Sequence, residues 1–302
     1  LCNTEYAVLP NDEASPFRLD FLQTTTSAIM NDDLGFDLSG RTAVITGGYG
    51  TLGGSMAEQL TKAGVRVGVL GRREDPAVEK AEALRKIGPG ALPLVANVLD
   101  KDALQSARET VLDKWGRLDI LINAAGGNVA EARTADDRSF FDIPQDAFRE
   151  VVELNLDGTV LPTQVFGEIM AEQEEGSIVN VSSMAAHRAI TEVPGYSPAK
   201  AGVENFTKWM AVEAAREFGE GVRVNAIAPG FFIAKQNRDV MLTPDGSYTE
   251  RTKTVLRNTP MGRLGDPDEL NGAVHWLCSD AASFVTGVVV PIDGGFNAFS
   301  GV

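Results

Sequence analysis

Short runs of apolar, largely β-branched residues alternate with longer stretches in which apolar positions recur at helical spacing. The first two runs are Thr42 to Thr46 and Val65 to Leu70, and the helical pattern of Ser55 to Ala63 lies between them. Strands that alternate with helices of this length are typical of βαβ units and a parallel sheet. The alternation continues to a last apolar run, Val288 to Ile292. The pattern therefore predicts an α/β fold.

The elements between these two ends are spaced so regularly that they predict one doubly wound domain. We expect a single-domain Rossmann fold, with a seven-stranded parallel sheet and helices on both faces. An irregular stretch over about 230–265 interrupts the series, and a loop of that length is predicted to contact substrate. The other predicted strands are 92–96, 118–122, 177–181 and 222–228, and the other predicted helices are 76–87, 100–115, 144–172 (a helix or helix pair), 196–218 and 266–278.

Residues 1–35 lack this alternation and are mostly polar. We predict that they form an N-terminal extension outside the main fold, which then covers 36–302. The whole chain is 43% hydrophobic and 23% charged, close to the globular average, which argues against a disordered protein.

The chain of 302 residues carries a formal net charge of -15 at pH 7. A field of that sign repels polyanions, so we predict no nucleic acid and no membrane as partner. A small anionic substrate stays possible, because local arginines can outweigh the global field. No apolar run reaches the ~18 residues that a spanning helix needs, and Cys2 and Cys278 fit neither a disulfide framework nor a metal site. We expect a cytoplasmic protein without a bound metal.

A glycine-rich turn, Gly47 to Gly53, follows the first strand and precedes the first helix. In that position glycines let the backbone approach a pyrophosphate, and the helix N-terminus supplies amide donors. The alternative is a tight turn with no ligand. The placement favours a dinucleotide, so 36–302 is predicted to be a dinucleotide-binding catalytic domain.

The second strand ends in Gly71, Arg72 and Arg73. A site that prefers NAD usually places an acidic residue at the position of Gly71, whereas arginines accommodate the 2′-phosphate of NADP. We therefore predict NADP as the cofactor, with NAD possible. The alternative is that both arginines only solvate the start of the next helix.

Tyr196 and Lys200 are four residues apart on a predicted helix and so share one face. A phenol titrates near ~10 and needs a neighbouring cation to act as an acid or base at neutral pH. Ser183, just after a strand, could bring a hydroxyl to the same point, and Asn155 is a polar residue on an apolar helix face. The alternative is an exposed Tyr, a surface Lys and a solvated Asn.

Together these residues resemble the short-chain dehydrogenase/reductase family, across roughly 36–302. The resemblance implies reversible hydride transfer between a nicotinamide and a carbonyl or alcohol carbon, with Tyr196 as general acid or base and Ser183 as donor to the substrate oxygen. Lys200 would hold the nicotinamide ribose and, together with the positive charge of the cofactor, lower the Tyr196 pKa. Asn155 would support a water-linked proton path. The matching motifs are Thr46-Gly47 to Gly53, Asn123-Ala124-Ala125-Gly126, Asn155, Ser183, Tyr196-Ser197-Pro198-Ala199-Lys200 and Pro229-Gly230.

The sequence departs from the family pattern at two places. Thr51 stands where the family has its second motif glycine, and Asn97 stands for the usual Asp after the third strand. An amide oxygen at Asn97 could still accept from the adenine amino group. The residues that the resemblance implies for cofactor binding are Gly47, Tyr49, Gly50, Thr51, Leu52, Gly53, Arg72, Arg73, Asn97, Val98, Asn123, Ala124, Ala125, Gly126, Tyr196, Lys200, Pro229, Gly230 and Phe232.

Within the family, the segments Asn123 to Asn128, Ala228 to Phe232, Asn258 to Arg263 and Asp293 to Val302 resemble the D-mannonate oxidoreductase (fructuronate reductase) branch. That resemblance implies a sugar acid as substrate, most simply D-fructuronate and D-mannonate. A substrate carboxylate needs a local cation, and Arg binds it bidentately. The predicted substrate-binding residues are Asn128, Arg188, Gln236, Asn237 and Arg238.

Two alternatives stay open at this point. The substrate could be another keto sugar acid, such as a ketogluconate or an alginate-derived deoxy-keto uronate. The chain could also be a non-catalytic NADP-binding sensor, since fold alone does not fix function. The resemblance further implies a homo-oligomer, a tetramer or dimer.

Overall fold

The computed structural model describes residues 34–135, 137–234 and 237–302. Residues Gly35–Val302 form one compact unit. Apart from Leu34 and Gly35, the predicted N-terminal extension lies outside the described residues, and so does the predicted substrate contact Gln236.

Within the described ranges, seven parallel strands form one sheet in the order β3-β2-β1-β4-β5-β6-β7. The strand order reverses between β1 and β4, which is where a doubly wound sheet opens a crevice at the carboxyl ends of its strands. The predicted seven-stranded Rossmann sheet is confirmed. The strands are β1 Thr42–Thr46, β2 Arg66–Gly71, β3 Ala91–Val95, β4 Ile120–Asn123, β5 Glu175–Val181, β6 Gly221–Pro229 and β7 Val289–Ile292.

Helices cover both faces of the sheet because successive side chains of a strand point to opposite sides. Ala43 and Ile45 of β1 belong to one apolar core, whereas Val44 belongs to the other. The first core contains α1 Thr51–Lys62, α2 Glu74–Arg85 and α9 Asn271–Cys278. The second contains α3 Lys101–Trp115, α5 Gly158–Gln173 and α6 Tyr196–Glu217.

The segment 144–172, predicted to be a helix or helix pair, forms two helices joined by a π-helical turn. Its parts are α4 Gln145–Val152, a π-helical turn over Glu153–Asp157, and α5. Pro162 explains the restart, because it has no N–H to donate to the carbonyl four residues earlier and its ring would clash there. The turn contains Asn155, and such single π turns often occur at functional sites.

The stretch over about 230–265 is less irregular than predicted. It contains two short helices, α7 Arg238–Met241 and α8 Glu250–Arg257. The Thr249 hydroxyl caps α8 by accepting from the amide of Thr252. A Thr at this position can begin a helix, but it is hard to recognise within a long polar segment. None of the helices in the described ranges combines the length and hydrophobicity that crossing a lipid bilayer requires.

Candidate active site

The glycine turn between β1 and α1 fits a bound pyrophosphate. Gly47 has φ of 65°, a conformation that favours glycine. A Cβ on Gly53 would lie 2.5 Å from the Gly47 carbonyl oxygen, so the turn closes tightly only with glycine there. Gly50 caps α1 without a side-chain hydrogen bond, and the first turn holds no acidic residue. The positive end of the helix therefore stays available to an anion.

The loops after β1 and β4 are joined at the mouth of the crevice. The Thr46 hydroxyl oxygen accepts from the amides of Ala124 and Ala125, each at 3.0 Å. Both loops thus keep a fixed spacing where a dinucleotide would cross the sheet.

Asn155 and Lys200 meet above Gly126. A Cβ on Gly126 would lie 2.7 Å from Asn155 Oδ1 and 3.3 Å from Lys200 Nζ. Asn155 is fully buried, and its Nδ2 donates to the carbonyls of Gly127 and Val151, each at 2.7 Å. Its Oδ1 accepts from the Gly127 amide at 3.1 Å. The predicted polar node is therefore satisfied by backbone, and it fixes the loop after β4.

Tyr196 is the first residue of α6, and Ser183 follows β5. The Ser183 hydroxyl interacts with the Tyr196 phenol and acts to lower the pKa of that phenol. The neighbouring Ser182 is buried and donates instead to Glu204 Oε1 at 2.7 Å. The structure thus brings Ser183, Tyr196, Lys200 and Asn155 together, and it turns the Ser182 hydroxyl away from Tyr196.

Burial controls the pKa values in this cluster. It raises the pKa of the Tyr196 phenol, and the interaction with Ser183 opposes that rise only in part. Burial also lowers the pKa of Lys200 to about 8. Lys200 Nζ donates to the Val181 carbonyl at 2.7 Å and lies 5.7 Å from the centre of the Tyr196 ring. The chain without cofactor does not lower the Tyr196 pKa. The Lys200 ammonium group is directed to a backbone oxygen instead of the phenol.

The end of β2 has no room for an acidic side chain. A Cβ on Gly71 would overlap the ring of Tyr49. The Tyr49 hydroxyl accepts from the Arg73 amide at 3.2 Å, and the Arg73 guanidinium carbon lies 5.4 Å from the ring centre. Arg72 and Arg73 are both exposed. The Tyr49 ring therefore fills the space beside the end of β2, and the guanidinium groups of Arg72 and Arg73 lie exposed at the same strand end.

Several other residues predicted to bind cofactor help to build the scaffold. Asn123 is buried, and its Nδ2 donates to Thr163 Oγ1 and Asn180 Oδ1, each at 2.9 Å. Asn97 Oδ1 accepts from the Leu99 amide at 3.3 Å, and its second lone pair leaves the predicted contact with adenine open. Among the described residues no group of three or more His, Cys, Asp or Glu could hold a metal ion.

Pro229 and Gly230 end β6 beside the last strand. A Cβ on Gly230 would lie 2.7 Å from Cα of Asp293, so these two segments approach at backbone distance. Phe232 is buried in the first core, and Val98 is buried in the second. The side chains of Phe232 and Val98 thus pack in the interior behind the crevice.

The predicted substrate-binding residues fall into two groups. Arg188 donates from Nε to Asn297 Oδ1 at 3.2 Å and from Nη2 to the Asn297 carbonyl. Asn237 donates to the Phe232 carbonyl at 2.8 Å and accepts from the Ala234 amide at 2.7 Å. These two side chains hold the C-terminal segment and the loop after β6, and sugar recognition by them stays a prediction.

Asn128 and Arg238 have no such engagement. Asn128 Nδ2 is buried without a hydrogen-bond partner among the described residues, while its Oδ1 accepts from the Val129 amide at 3.1 Å. Arg238, at the start of α7, is exposed and forms no ion pair with any described carboxylate. A donor and a cation are therefore available for a ligand.

Sequence reasoning missed Glu192. Its carboxylate pairs with Arg133 and with Arg251, the latter at 2.5 Å. Both arginines lie 59 residues away along the chain, in opposite directions. No periodicity or motif connects positions so far apart, so the sequence carries no signal for this cluster.

Known proteins resemble this chain over most of its length. A family model described as Enoyl-(Acyl carrier protein) reductase matches residues 50–297. Uncharacterized oxidoreductase UxuB of Bacillus subtilis (strain 168) is 43% identical over 275 residues, which are 88% of this chain and 98% of that protein.

Solved structures share the fold over nearly the same span. A protein of Haemophilus influenzae with bound NAD, provisionally assigned as a D-mannonate oxidoreductase, has a TM-score of 0.83 and 38% identity, covering 88% of this chain and 98% of its own. A gluconate 5-dehydrogenase of Burkholderia cenocepacia in complex with NADP and tartrate has a TM-score of 0.78 and 30% identity, covering 87% and 97%.

Proposed function

This chain belongs to the short-chain dehydrogenase/reductase family and is an NAD(P)-dependent oxidoreductase, and we propose that it interconverts D-fructuronate and D-mannonate. The observation that carries the choice of a sugar acid is the buried, unpartnered Nδ2 of Asn128. Leaving a buried donor unpaired is costly, and a substrate hydroxyl or carboxylate oxygen would satisfy it. Asn128 directly follows Gly127, which Asn155 holds in place.

Two further features support this substrate class. Arg238 offers a guanidinium without a carboxylate partner among the described residues, and a uronate carboxylate suits its bidentate geometry. Two relatives are named for sugar acids, D-mannonate in one case and gluconate in the other. The first of these relatives shares 38% of its residues with this chain.

We assign the protein's own steps to the clustered side chains. Gly47, Gly53 and Gly126 leave room for a nicotinamide dinucleotide, which supplies or accepts the hydride when it is bound. Tyr196, whose phenol burial keeps protonated, donates that proton to the substrate oxygen in reduction, and in oxidation its phenolate form would take the proton back from the substrate hydroxyl. Ser183 donates a hydrogen bond to the same oxygen and stabilises its developing charge.

Lys200 and Asn155 act behind the phenol. The Lys200 ammonium group lies between the Val181 carbonyl and Gly126, where it can hold ribose hydroxyls. Asn155 keeps the loop after β4 at a fixed distance from Lys200 and supports a water path for the proton. Neither residue needs to touch the substrate.

The lowered pKa of Lys200 makes cofactor affinity depend on pH. Its ammonium form is lost as pH rises through about 8, so the affinity for NADPH should fall above that pH, by at most about tenfold per unit. Fluorescence titration with NADPH at a series of pH values measures it. The Lys200→Met variant should bind NADPH weakly at every pH, and its affinity should not fall further as the pH rises. A wild-type affinity that is flat from about pH 6 to about pH 10 would contradict this role.

We propose NADP as the preferred coenzyme. The support is local: Gly71 offers no acidic side chain to a ribose hydroxyl, and Arg72 and Arg73 lie exposed at the same strand end. The Haemophilus relative has NAD bound, so the choice differs between members of this group or is not strict.

The experiment is a spectrophotometric panel of uronates and ketoaldonates, run with NADH and NADPH in parallel. We expect D-fructuronate to be reduced with the highest kcat/KM, and with NADPH ahead of NADH. Asn128→Ala should raise KM for the sugar acid by about tenfold or more, while Kd for NADPH stays unchanged. Turnover of ketogluconates without uronates would replace the substrate assignment, and preference for NADH would overturn the assignment of Arg72.

A reductase of a different keto sugar acid is the second candidate. It is favoured by the gluconate 5-dehydrogenase relative, which was crystallised with tartrate. The same four clustered side chains would serve it, because only the substrate-contacting residues need to differ. The panel separates the two by substrate.

We also propose a cytoplasmic homo-oligomer, tetramer or dimer. Trp209 and Val212 of α6 are 58% and 59% exposed, although α6 belongs to a core helix layer. Exposed apolar side chains on one helix favour contact with a second copy.

A further inference from the structure

Three separate segments meet at one carboxylate, and we name this contact the Glu192 bridge, formed by Arg133, Glu192 and Arg251. Arg133 lies in the loop between β4 and α4, which also contains Gly126 and Asn128. Glu192 lies four residues before Tyr196. Arg251 lies in α8, within the predicted substrate loop. The bridge therefore joins the dinucleotide side, the catalytic tyrosine and the substrate loop.

The contacts are directional and partly shielded from water. Arg133 Nη2 donates to Glu192 Oε2, and Arg251 Nη1 donates to Glu192 Oε1 at 2.5 Å. Arg251 also donates to the Thr191 hydroxyl and carbonyl, each at 3.2 Å. The three charged side chains are 29%, 31% and 23% exposed. Because each is mostly buried, the charge-assisted hydrogen bonds are stronger than those of a surface pair.

The backbone at Glu192 is held in a conformation that it would not adopt by preference. Its φ is 73°, in the left-handed region. Only one other non-glycine residue in the described ranges has positive φ, Glu174, and that residue caps the end of α5, where such a conformation is common. Glu192 ends no helix. The two arginines therefore hold a strained turn, and strain of this kind often accompanies a functional constraint.

We propose that Glu192 is a positioning residue that couples the substrate loop to the turn preceding Tyr196. When α8 is seated, Arg251 pulls Glu192 and Thr191 into the observed turn, and Arg133 fixes the same carboxylate from the other side. Loss of the carboxylate frees both arginines, so the loops on both sides loosen together. This coupling rests on the proposed function in one respect, because 230–265 is taken as the segment that contacts substrate. The coupling itself does not depend on which sugar acid is bound.

Hydrogen exchange measured by mass spectrometry tests the coupling without any substrate. In Glu192→Gln, amide exchange should rise by about tenfold in two segments at once, 130–135 and 250–257. Peptides from α2 and α3 serve as internal references and should not change. The matched control is Glu250→Gln on α8, which removes an exposed carboxylate that pairs with Lys253 within the same helix. It should leave exchange at 130–135 unchanged.

Two more variants separate charge from backbone strain. Glu192→Gly relieves the positive φ but lacks the carboxylate, and it should loosen both segments as Glu192→Gln does. Glu192→Asp keeps the charge and should restore part of the protection. Full protection in Glu192→Gly, or a rise confined to one of the two segments, would overturn the proposal.

Kinetics then show whether the coupling matters for substrate. With whichever sugar acid the panel identifies, KM for that acid should rise by about fivefold or more in Glu192→Gln, while Kd for NADPH stays within about twofold. An unchanged KM together with loosened loops would overturn the positioning role. If no sugar acid is turned over, the substrate assignment fails, and hydrogen exchange still decides the coupling.

Discussion

Replacing Tyr196 with Phe should lower kcat by about 10²- to 10⁴-fold, the usual contribution of a positioned proton donor. The phenol is the only group of the cluster that burial keeps protonated and that also interacts with Ser183. Phe keeps the ring that packs beside Lys200 and removes only the hydroxyl. Steady-state turnover of the sugar acid identified by the panel measures the loss.

The same variant should bind the dinucleotide normally. The glycine turn at Gly47 and Gly53 and the Lys200 contact with Val181 do not involve the phenol oxygen. Kd for NADPH, measured by fluorescence titration, should therefore stay within about twofold. Substantial remaining turnover in Tyr196→Phe would remove the phenol as the proton donor, whatever the substrate.

Gly53→Ala should damage both stability and cofactor binding, whereas Gly54→Ala next to it should not. The new methyl group at position 53 would lie 2.5 Å from the Gly47 carbonyl oxygen, so the backbone of the turn must move. Forcing extra atoms into a packed site costs about 1 to 3 kcal/mol in the free energy of unfolding. We expect Kd for NADPH to rise by about 10- to 100-fold as the turn opens.

Gly54 provides the matched control because it has the same residue type in the same helix. A methyl group at position 54 would meet the end of the Lys80 side chain, at 3.3 Å from Nζ, which can shift at little cost. Ala is also favoured over Gly inside a helix by about 0.5 to 1 kcal/mol. Thermal unfolding should show an equal or higher Tm for Gly54→Ala. Equal effects at the two positions would mean that the close approach to Gly47 is not what requires glycine.

The sequence predicted the fold because strands and helices follow local patterns, and the family resemblance indicated which side chains form the candidate site. Alternating apolar runs define the strands, and Tyr196 and Lys200 are brought together by one turn of helix. The family resemblance assigned the hydroxyl donor to Ser183, and the neighbouring Ser182 hydroxyl donates to Glu204.

Contacts between distant segments could not be predicted in the same way. Arg188 donates to Asn297, 109 residues later along the chain, and no local pattern connects these two positions. The role of Glu192 likewise depends on partners in two other loops. Spacing shows which side chains carry a charge, but tertiary packing determines which of them remain free for a ligand.

The pKa values of the Tyr196 phenol and the Lys200 amine in the chain without cofactor likewise depend on tertiary packing. A cation four residues from a phenol should lower the phenol's pKa if the two charges face each other in the open. Burial disfavours the charged form of each group, so it raises the pKa of Tyr196 and lowers that of Lys200. The depth of a side chain is a property of the whole fold, and helical spacing does not report it.

The contact between Tyr49 and Gly71 restricts how coenzyme preference can evolve. An Asp at position 71 is the simplest route towards a ribose-hydroxyl acceptor, but its Cβ would overlap the Tyr49 ring. The ring in turn holds the Arg73 amide and guanidinium group. The Tyr49 ring must therefore move before an acidic group fits at position 71, and that movement loosens Arg73. The effect of an acidic residue at position 71 should therefore depend on which residue stands at position 49.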